Sequence, residues 1–317
     1  MAEGFNFDAP MAKPVNSGPH KAPATSGKAI ASLILGLLSI IGMCFTGIPG
    51  LILGIMGISD IGKSGGRVGG KGLAIAGIVL SSLGILWTLI AGILIGMLIP
   101  AVHQVRGAAR RVQSMNNVRQ QVLAMHNYQS SYLKFPKADN NGLSWRVHIL
   151  PFLEQKNLYD QFNLDEPWDS PHNRKLIPQM PEFYACPSLP DLPAGFTVYQ
   201  VPYSDLKSNP ETEKIAMFDN SDKSVGFGEI LDGSTNTIAV LEVDEAAAVE
   251  WTKPTDWEFT PSDPMHDLGN LHPGVIVVGM ADGSSHSIPI NTSPEEFKAM
   301  ITRNGGEAPG QAINPRY

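Results

Sequence analysis

One segment constrains the fold of this 317-residue chain most: a charge-free apolar run joined to an amphipathic stretch, with only Pro100 between them. As a helix rising 1.5 Å per residue, residues 73–99 would be about 40 Å long, enough to cross a hydrocarbon core of roughly 30 Å. After Pro100, apolar residues recur every three or four positions, which is typical of one helix face. They are Val102, Val105, Ala109, Val112, Met115, Val118, Val122, Met125, Tyr128 and Tyr132. The sequence therefore predicts a membrane span that is followed by a stalk helix over 101–132.

A second charge-free run, residues 29–59, predicts another membrane segment. Gly47-Ile48-Pro49-Gly50 interrupts it, so a single helix would kink at Pro49, and a pair of half-helices is the alternative. The Gly-rich connection 60–72 is short, which predicts a hairpin of the two spans. Glycines that would allow close packing in this hairpin are Gly54, Gly57, Gly77, Gly84 and Gly92.

The ends of the two spans leave the orientation open. Residues 1–28 are rich in Pro, Ala, Gly and Ser without a hydrophobic period, which predicts a disordered tail. The connection 60–72 contains Lys63, Arg67 and Lys71, and three basic residues in a short loop favour the cytoplasm. Basic residues also flank the other ends of both spans, so charge alone does not fix the topology.

Charge divides the chain into two parts, with a net charge of +3 in residues 1–100 and −10 in residues 101–317. An acidic head argues against nucleic acid as a partner, because nucleic acid needs a basic surface. Arg106, Arg110 and Arg111 follow the apolar run closely, where they would contact anionic lipid headgroups. The alternative for these arginines is a solvated helix face.

From Phe135 onward the sequence predicts an α+β domain, with the long N-terminal helix packed on an antiparallel sheet. Residues 237–243 are apolar and β-branched and predict a strand. Residues 275–281 and 285–290 flank Asp282-Gly283, which predicts a hairpin.

A final helix is predicted from Ser293-Pro294-Glu295-Glu296. Ser293 is expected at the N-cap, Pro294 at the first helical position, and Glu296 at the third position of a capping box.

Several motifs together resemble a bacterial family. They are Ala108-Ala109-Arg110-Arg111, Asn116-Asn117, His126-Asn127-Tyr128, Phe135-Pro136, Ser144-Trp145-Arg146-Val147, and His272 followed after nine residues by Asp282-Gly283. Over about residues 89–307 the chain resembles the DUF1559 family, also called the prepilin-type processing-associated H-X9-DG domain. Residues 29–95 resemble the DUF4190 two-helix membrane module.

This resemblance implies an orientation and a role. Pilin-like helices run from the cytoplasm outward, so residues 60–72 would be cytoplasmic and the head, residues 100–317, extracytoplasmic. The expected protein is a multi-pass protein of the cytoplasmic (inner) membrane, with a structural or interaction role in the cell envelope. Envelope or secretion-like proteins would be its partners.

The chain departs from the family pattern at two places. Relatives have a glutamate five residues into the mature pilin-like chain, whereas Gly77 stands there after Gly72-Leu73, so the resemblance does not extend to prepilin processing. Ser114 stands where many relatives have cysteine, so a partner for Cys186 is missing. Cys44 and Cys186 lie in very different segments, and neither a disulfide nor a cysteine metal site is predicted.

The motif residues His272, Asp282 and Gly283 are predicted to be structural. Nine intervening residues span about 30 Å when extended, so the two side chains would not ligate one ion. Gly283 would supply the positive φ of a turn, and His272 would fix the loop before the strand.

Asp232 and Asn236 belong to a polar turn, Asp-Gly-Ser-Thr-Asn-Thr, that offers oxygen ligands for calcium. The alternative is that these side chains bond to their own turn. No other cofactor is expected.

Catalysis is not expected. Ser234, His272 and Asp282 have the residue types of a hydrolase triad, but no Gly-x-Ser-x-Gly elbow surrounds Ser234. The second functional hypothesis is a membrane-tethered binding module for a divalent cation, a glycan or a peptide. Trp251 beside several acids is compatible with a glycan site, although such tryptophans more often anchor a core.

Overall fold

The computed structural model describes residues 24–42, 44–207, 215–220 and 223–306, and most of the tail predicted over 1–28 lies outside this range. The fold is α+β, with a long N-terminal helix and antiparallel sheets, as predicted. The chain divides into two compact units, residues 1–102 and residues 103–317.

Three helices build the described part of the first unit. They are α1 (Gly27–Gly42), α2 (Cys44–Lys63) and the beginning of α3 (Lys71–Tyr132), which contains Pro100 and continues into the second unit. A short parallel pair, β1 (Ala24–Thr25) and β2 (Val68–Gly69), joins the two ends of the α1–α2 hairpin. A single helix over 29–59 is therefore wrong, since this run forms two helices, and Pro49 lies inside α2.

Small residues hold these helices together. Ser32 Oγ of α1 donates a hydrogen bond to the Gly50 carbonyl of α2 at 2.8 Å. A Cβ at Gly77 would collide with Ser32, and one at Gly84 would collide with Ser39, so α3 contacts α1 at glycines. Close packing of the two predicted runs is also confirmed at Gly54, where a Cβ would lie 2.5 Å from Ile78 Cγ1 of α3. Gly57 instead approaches the backbone of Ala29 in α1, within the first run. It is wrong for Gly92, where a Cβ would meet no described atom within 4 Å.

Two of the helices, α2 and α3, are long and apolar enough to cross a membrane. Helix α1 has 16 residues and would be about 24 Å long, which is short for a hydrocarbon core of roughly 30 Å. Many large apolar side chains on α2 and α3 are exposed, among them Phe45 (86%) and Trp87 (64%). Continuous apolar surface of this kind marks a membrane or protein contact.

The second unit contains the rest of α3, three further α-helices, five 3-10 helices and eleven strands within its described residues. The α-helices are α4 (Trp145–His148), α5 (Lys156–Tyr159) and α6 (Pro294–Ile301). The 3-10 helices are Leu150–Leu153, Asn173–Gln179, Glu182–Tyr184, Phe227–Glu229 and Glu245–Ala247. The strands are β3 (Asp139–Asn140), β4 (Leu143–Ser144), β5 (Phe196–Thr197), β6 (Tyr199–Gln200), β7 (Pro202–Ser204), β8 (Phe218–Asp219), β9 (Ile238–Glu242), β10 (Val249–Glu250), β11 (Trp257–Glu258), β12 (Val275–Met280) and β13 (Ser285–Pro289).

An antiparallel sheet in the order β13-β12-β9-β6 forms the centre of this unit. The predicted hairpin is confirmed as β12 and β13, and Gly283 in its turn has a φ of 91°. The predicted strand over 237–243 is confirmed as β9. The predicted last helix is α6, where the Ser293 hydroxyl accepts a hydrogen bond from the Glu296 amide.

Aromatic side chains fill the core around the sheet. Trp145 and Trp251 are fully buried and Trp257 is 3% exposed, so the prediction that tryptophans anchor the core holds for these three. The Trp251 ring stacks on Tyr184 with centroids 5.7 Å apart. Such pairs add about 0.5–1.5 kcal/mol beyond the buried area.

Helix α3 packs on the sheet at Gly279 of β12. A Cβ built at Gly279 would lie 2.5 Å from Val118 Cγ1 and 2.8 Å from Val122 Cγ2. Both valines are fully buried and β-branched, so their side chains have little freedom to move away. This glycine therefore sets how closely the helix approaches β12.

Replacing Gly279 with alanine is expected to lower the free energy of unfolding by about 1–3 kcal/mol, the usual cost of overpacking a core. Denaturant unfolding of the full chain in detergent micelles measures this change. Gly226→Ala is the matched control, because a Cβ there meets no described atom within 4 Å. Equal stability of the two variants would contradict the close helix–sheet contact.

Candidate functional site

A buried polar network surrounds Glu242, the last residue of β9, whose side chain is 1% exposed. Its Oε2 lies 2.8 Å from Nε2 of His272, and that histidine side chain is 3% exposed. Its Oε1 accepts hydrogen bonds from Ser114 Oγ at 2.7 Å and Cys186 Sγ at 3.3 Å. One carboxylate thus joins α3, two loops and the sheet.

Local structure positions each member of this network. His272 precedes β12 and forms an isolated bridge with Val275. Ser114 lies on α3 at the point where the helix surface becomes buried. Cys186 follows the 3-10 helix Glu182–Tyr184. The predicted role of His272 in fixing the loop is compatible with this geometry, and the hydrogen bond with Glu242 adds a second contact.

Asn117 and Gln121 of α3 extend the network along the helix. The Tyr199 hydroxyl lies 3.1 Å from Ser114 Oγ, and Asn117 Nδ2 donates to the same hydroxyl at 3.4 Å and to the Ala185 carbonyl at 3.2 Å. One turn later, Gln121 Nε2 donates to the Phe183 carbonyl at 2.7 Å. These polar contacts bind one side of α3 to the segment that carries Cys186.

Burial keeps the Tyr199 hydroxyl and the Cys186 thiol protonated. It raises the pKa of Tyr199 well above 10, and the negative charge of Glu242 raises it further. Burial, followed by the charge of Glu242, raises the pKa of the Cys186 thiol to about 12. Cys186 is a free thiol and is therefore protonated at neutral pH, which makes it a poor nucleophile and a hydrogen-bond donor.

A buried ion pair joins Arg146 of α4 to Asp256. The two side chains are 0% and 1% exposed, and Arg146 Nη2 donates to Asp256 Oδ1 at 2.8 Å. Arg146 also donates to the Tyr199 carbonyl from Nε at 2.9 Å and from Nη2 at 2.7 Å. Its Nη1 donates to Ser144 Oγ at 2.7 Å. The guanidinium thus connects α4 to β6 by hydrogen bonds within the core.

The structure places His272 and Asp282 at opposite ends of β12, each with its own partner. Asp282 Oδ1 accepts hydrogen bonds from the Ser284 amide at 2.8 Å and the Ser284 hydroxyl at 2.6 Å. A Cβ at Gly283 would lie 3.2 Å from Leu123 Cδ2 of α3, so the turn also approaches the helix closely. The motif residues therefore have the geometry of a loop anchor and a tight turn.

The two residues considered for calcium have other partners in the structure. Asp232 accepts backbone hydrogen bonds from Gly305 at 2.6 Å and Gly306 at 2.7 Å, one on each carboxylate oxygen. Asn236 Nδ2 donates to the Asp232 carbonyl at 2.9 Å. Within the described ranges, no three His, Cys, Asp or Glu side chains are grouped for a metal ion. Calcium binding at this turn stays a prediction.

The arginines predicted to contact lipid headgroups lie on an open part of α3. Arg106 and Arg110 are exposed and Arg111 is partly exposed. For the triad considered above, the described hydrogen bond of the His272 side chain goes to Glu242 instead of a serine.

Sequence reasoning missed Glu242 as the centre of the network. A signal was present, because Glu242 is the charged residue in an otherwise apolar strand, and a buried charge requires a partner. What the sequence does not show is which of the many distant polar residues meets it, since Ser114 and His272 lie 128 and 30 residues away.

Two family models match the chain, in the same order as its two units. Residues 103–269 match the family model described as protein of unknown function (DUF1559), and residues 28–91 match domain of unknown function (DUF4190). No curated protein and no solved structure matches the chain. These matches and the apolar helices indicate a membrane-associated protein. Since the first match covers more than half of the sequence, the chain belongs to the DUF1559 family.

Proposed function

We propose that this protein is a membrane-anchored structural and interaction protein of the cell envelope, with a pseudopilin-like extracytoplasmic head. Helices α2 and α3 would cross the cytoplasmic membrane, and the loop between them would be cytoplasmic. The observation that carries an interaction role is the surface of α3 over residues 103–113, which we call the open segment. It is accessible almost all round, whereas one face of α3 is buried between Ser114 and Met125.

The open segment has the composition of a contact surface. Val105 and Val112 are 68% and 55% exposed, so apolar area remains in contact with solvent. Exposed valines on one face of a helix gain free energy when a partner covers them, at about 25 cal/mol per Å². Arg106, Arg110 and Arg111 flank these valines, and no acidic residue occurs between residues 101 and 127. A partner with an apolar stripe bordered by acidic residues would fit this surface.

Site-specific photocrosslinking in intact membranes tests the interaction. Benzoylphenylalanine at Val112 is expected to give one discrete adduct with another membrane or envelope protein, and Val105→Asp in the same chain is expected to abolish it. Benzoylphenylalanine at Gln120, which is also exposed on α3 but lies outside the open segment, is the matched control. A chain that gives no adduct from Val112, or the same adduct with Val105→Asp, would refute the proposal.

The arginines of the open segment are proposed to bind anionic lipid headgroups. Arg106 follows Ile99 by seven residues, so even a fully extended chain keeps it within roughly 25 Å of the apolar run. Each basic residue near an anionic surface contributes about 1 kcal/mol, and the effect decays over about 10 Å at moderate salt.

Changing Arg106, Arg110 and Arg111 together to glutamine is expected to reduce retention of phosphatidylglycerol by the chain in nanodiscs, as counted by native mass spectrometry. Arg119→Gln removes one arginine charge from an exposed position further along α3 and should leave retention unchanged. Equal lipid retention by the triple variant and the wild type would show that these arginines are only a solvated face.

The proposal includes no catalytic step and no resident cofactor. It is supported by the protonated thiol of Cys186, which is a poor nucleophile, and by the burial of His272, whose side chain is 3% exposed.

A further inference from the structure

Helix α1 starts beside the connection that leads into α3. Strand β1 pairs in parallel with β2, so that Ala24 lies opposite Val68 and Thr25 lies opposite Gly69. The Ser26 amide continues this pairing with a hydrogen bond of 3.0 Å to the Gly69 carbonyl. A single residue separates β1 from α1, and a single residue separates β2 from α3. The two helices therefore start at the same end of the first unit.

Helices α1 and α3 also run in the same direction. A Cβ built at Gly77 of α3 would lie 2.7 Å from the carbonyl carbon of Ser32 in α1. Two turns further along both helices, a Cβ built at Gly84 would lie 2.8 Å from Ser39 Cβ. Each helix advances by seven residues between these two contacts, so the helices are parallel.

Helix α2 runs back along α1. Near its beginning, a Cβ at Gly47 would lie 3.4 Å from Ser39 Cβ, close to the end of α1. Ten residues later, a Cβ at Gly57 would lie 3.3 Å from the Ala29 amide nitrogen, in the first turn of α1. Because the contacts move toward the start of α1 as α2 advances, α1 and α2 form an antiparallel hairpin.

The outer surface of this hairpin is apolar. Residues 29–59 contain no charged residue, and large apolar side chains of both helices are between 43% and 62% exposed. They are Ile30, Ile34, Leu37 and Leu38 of α1, and Ile48, Ile52, Ile55 and Met56 of α2. Covering a fully exposed side chain of this size contributes about 1.5–3 kcal/mol. The hairpin lies beside the apolar run of α3, so the hydrocarbon core that surrounds α3 would cover this surface too.

The charged residues of the hairpin lie at its open end. Lys28 Nζ, just before the charge-free run, lies 2.7 Å from Asp60 Oδ2, just after it. Lys28 is therefore at the same end as Lys63, Arg67 and Lys71. A single span over residues 29–59 would have placed Lys28 across the membrane from these three residues. In the hairpin all four favour one side, and basic residues in short connections favour the cytoplasm.

We infer that α1 and α2 enter the bilayer together as a hairpin, from the side of the connection between α2 and α3, with lipid hydrocarbon as the partner of their outer surface. Three helices of the first unit are then embedded. Residues 24–28 lie on the same side as the connection and opposite the head. The inference rests on the proposed function only for the crossing of α3.

Thiol labelling of single-cysteine variants tests the side on which residues 24–28 lie. Ala24→Cys, at an exposed position of β1, is compared with Ser64→Cys in the connection and Asn157→Cys in the head, each with Cys44→Ser. With a membrane-impermeant maleimide, Ala24→Cys should react under the same conditions as Ser64→Cys, before or after lysis, and not under those of Asn157→Cys. Reaction of Ala24→Cys together with Asn157→Cys, and apart from Ser64→Cys, overturns the inference.

The same assay separates this inference from the proposed orientation. If Ala24→Cys and Ser64→Cys both react in intact cells while Asn157→Cys reacts only after lysis, the hairpin stands and the extracytoplasmic head is refuted. If all three variants react alike before lysis, α3 does not cross the membrane and both proposals fail.

Electron paramagnetic resonance of a nitroxide at Ile34→Cys tests whether α1 is embedded. Ile34 is 53% exposed, and Val79 of α3 is a matched control at 50% exposure. Each lies two residues beyond the contact between Ser32 and Gly77, so the two positions have the same depth. In nanodiscs, both nitroxides should be relaxed more strongly by oxygen than by a water-soluble nickel chelate. Stronger relaxation by nickel at Ile34→Cys than at Val79→Cys, with α1 thus exposed to water, would overturn the inference.

Discussion

Glu242→Ala is expected to lower the free energy of unfolding by about 3–5 kcal/mol, because each buried polar group left without its partner costs about 1–3 kcal/mol. The loss is large because three groups depend on this carboxylate. His272 loses its hydrogen-bond partner at 2.8 Å, and Ser114 and Cys186 lose the acceptor that they share. For a unit of this size, we expect the melting temperature to fall by roughly 10 °C.

Urea unfolding of the full chain in detergent, followed by tryptophan fluorescence, measures the effect. Replacing both Glu242 and His272 with leucine is the informative control, because replacing both partners of a buried hydrogen bond by apolar groups can be nearly neutral. The double variant should recover much of the stability that Glu242→Ala loses. If Glu242→Ala unfolds like the wild type, the carboxylate does not join α3 to the sheet.

Asp256→Ala is expected to cost a similar amount, about 3–5 kcal/mol, for a different reason. It leaves the Arg146 guanidinium, with a fully buried side chain, facing only the Tyr199 carbonyl and the Ser144 hydroxyl. It also removes the acceptor of Trp145 Nε1 and of the Val201 amide. A buried charge without a counter-charge is among the most destabilising defects in a core.

Asp256→Asn tests the loss of the negative charge separately from the change in side-chain shape. The amide keeps an oxygen that can accept from Trp145 and Val201 but removes the negative charge, so its stability should fall between those of Asp256→Ala and the wild type. Arg146→Met with Asp256→Leu, which deletes both charges, should be more stable than Asp256→Ala alone. Equal melting temperatures for Asp256→Ala and the wild type would contradict the role assigned to this pair.

Sequence patterns predicted the helices and strands that are determined by neighbouring residues. The β12–β13 hairpin follows from two β-rich runs around Asp282-Gly283, and α6 follows from the Ser293-Pro294 start. The end of α1 at Gly42 was missed, because no charged residue or proline lies next to it to mark where one helix stops. The expected kink lay at Pro49, which the structure places inside α2.

The buried polar pairs could not be predicted, because each one joins residues that are far apart in the sequence. Arg146 and Asp256 are 110 residues apart, and the pattern around each is that of an ordinary loop or short helix. His272 was recognised as a motif residue without its partner, since spacing along the chain relates it to Asp282 whereas the fold relates it to Glu242. Motif spacing reports on the strand between two residues and says little about their contacts.

The central claim, a membrane anchor with the head outside the cytoplasm, is tested most directly by cysteine accessibility. Single cysteines at Ser64, in the loop between α2 and α3, and at Asn157, exposed in the head, would be introduced with Cys44→Ser. Cys186 can stay, because its buried thiol, with a pKa of about 12, should not react. With a membrane-impermeant maleimide, intact cells stripped of outer barriers should be labelled at Asn157→Cys and not at Ser64→Cys, and lysed cells at both. Labelling of Ser64→Cys alone in intact cells, or of neither position until lysis, would contradict the account.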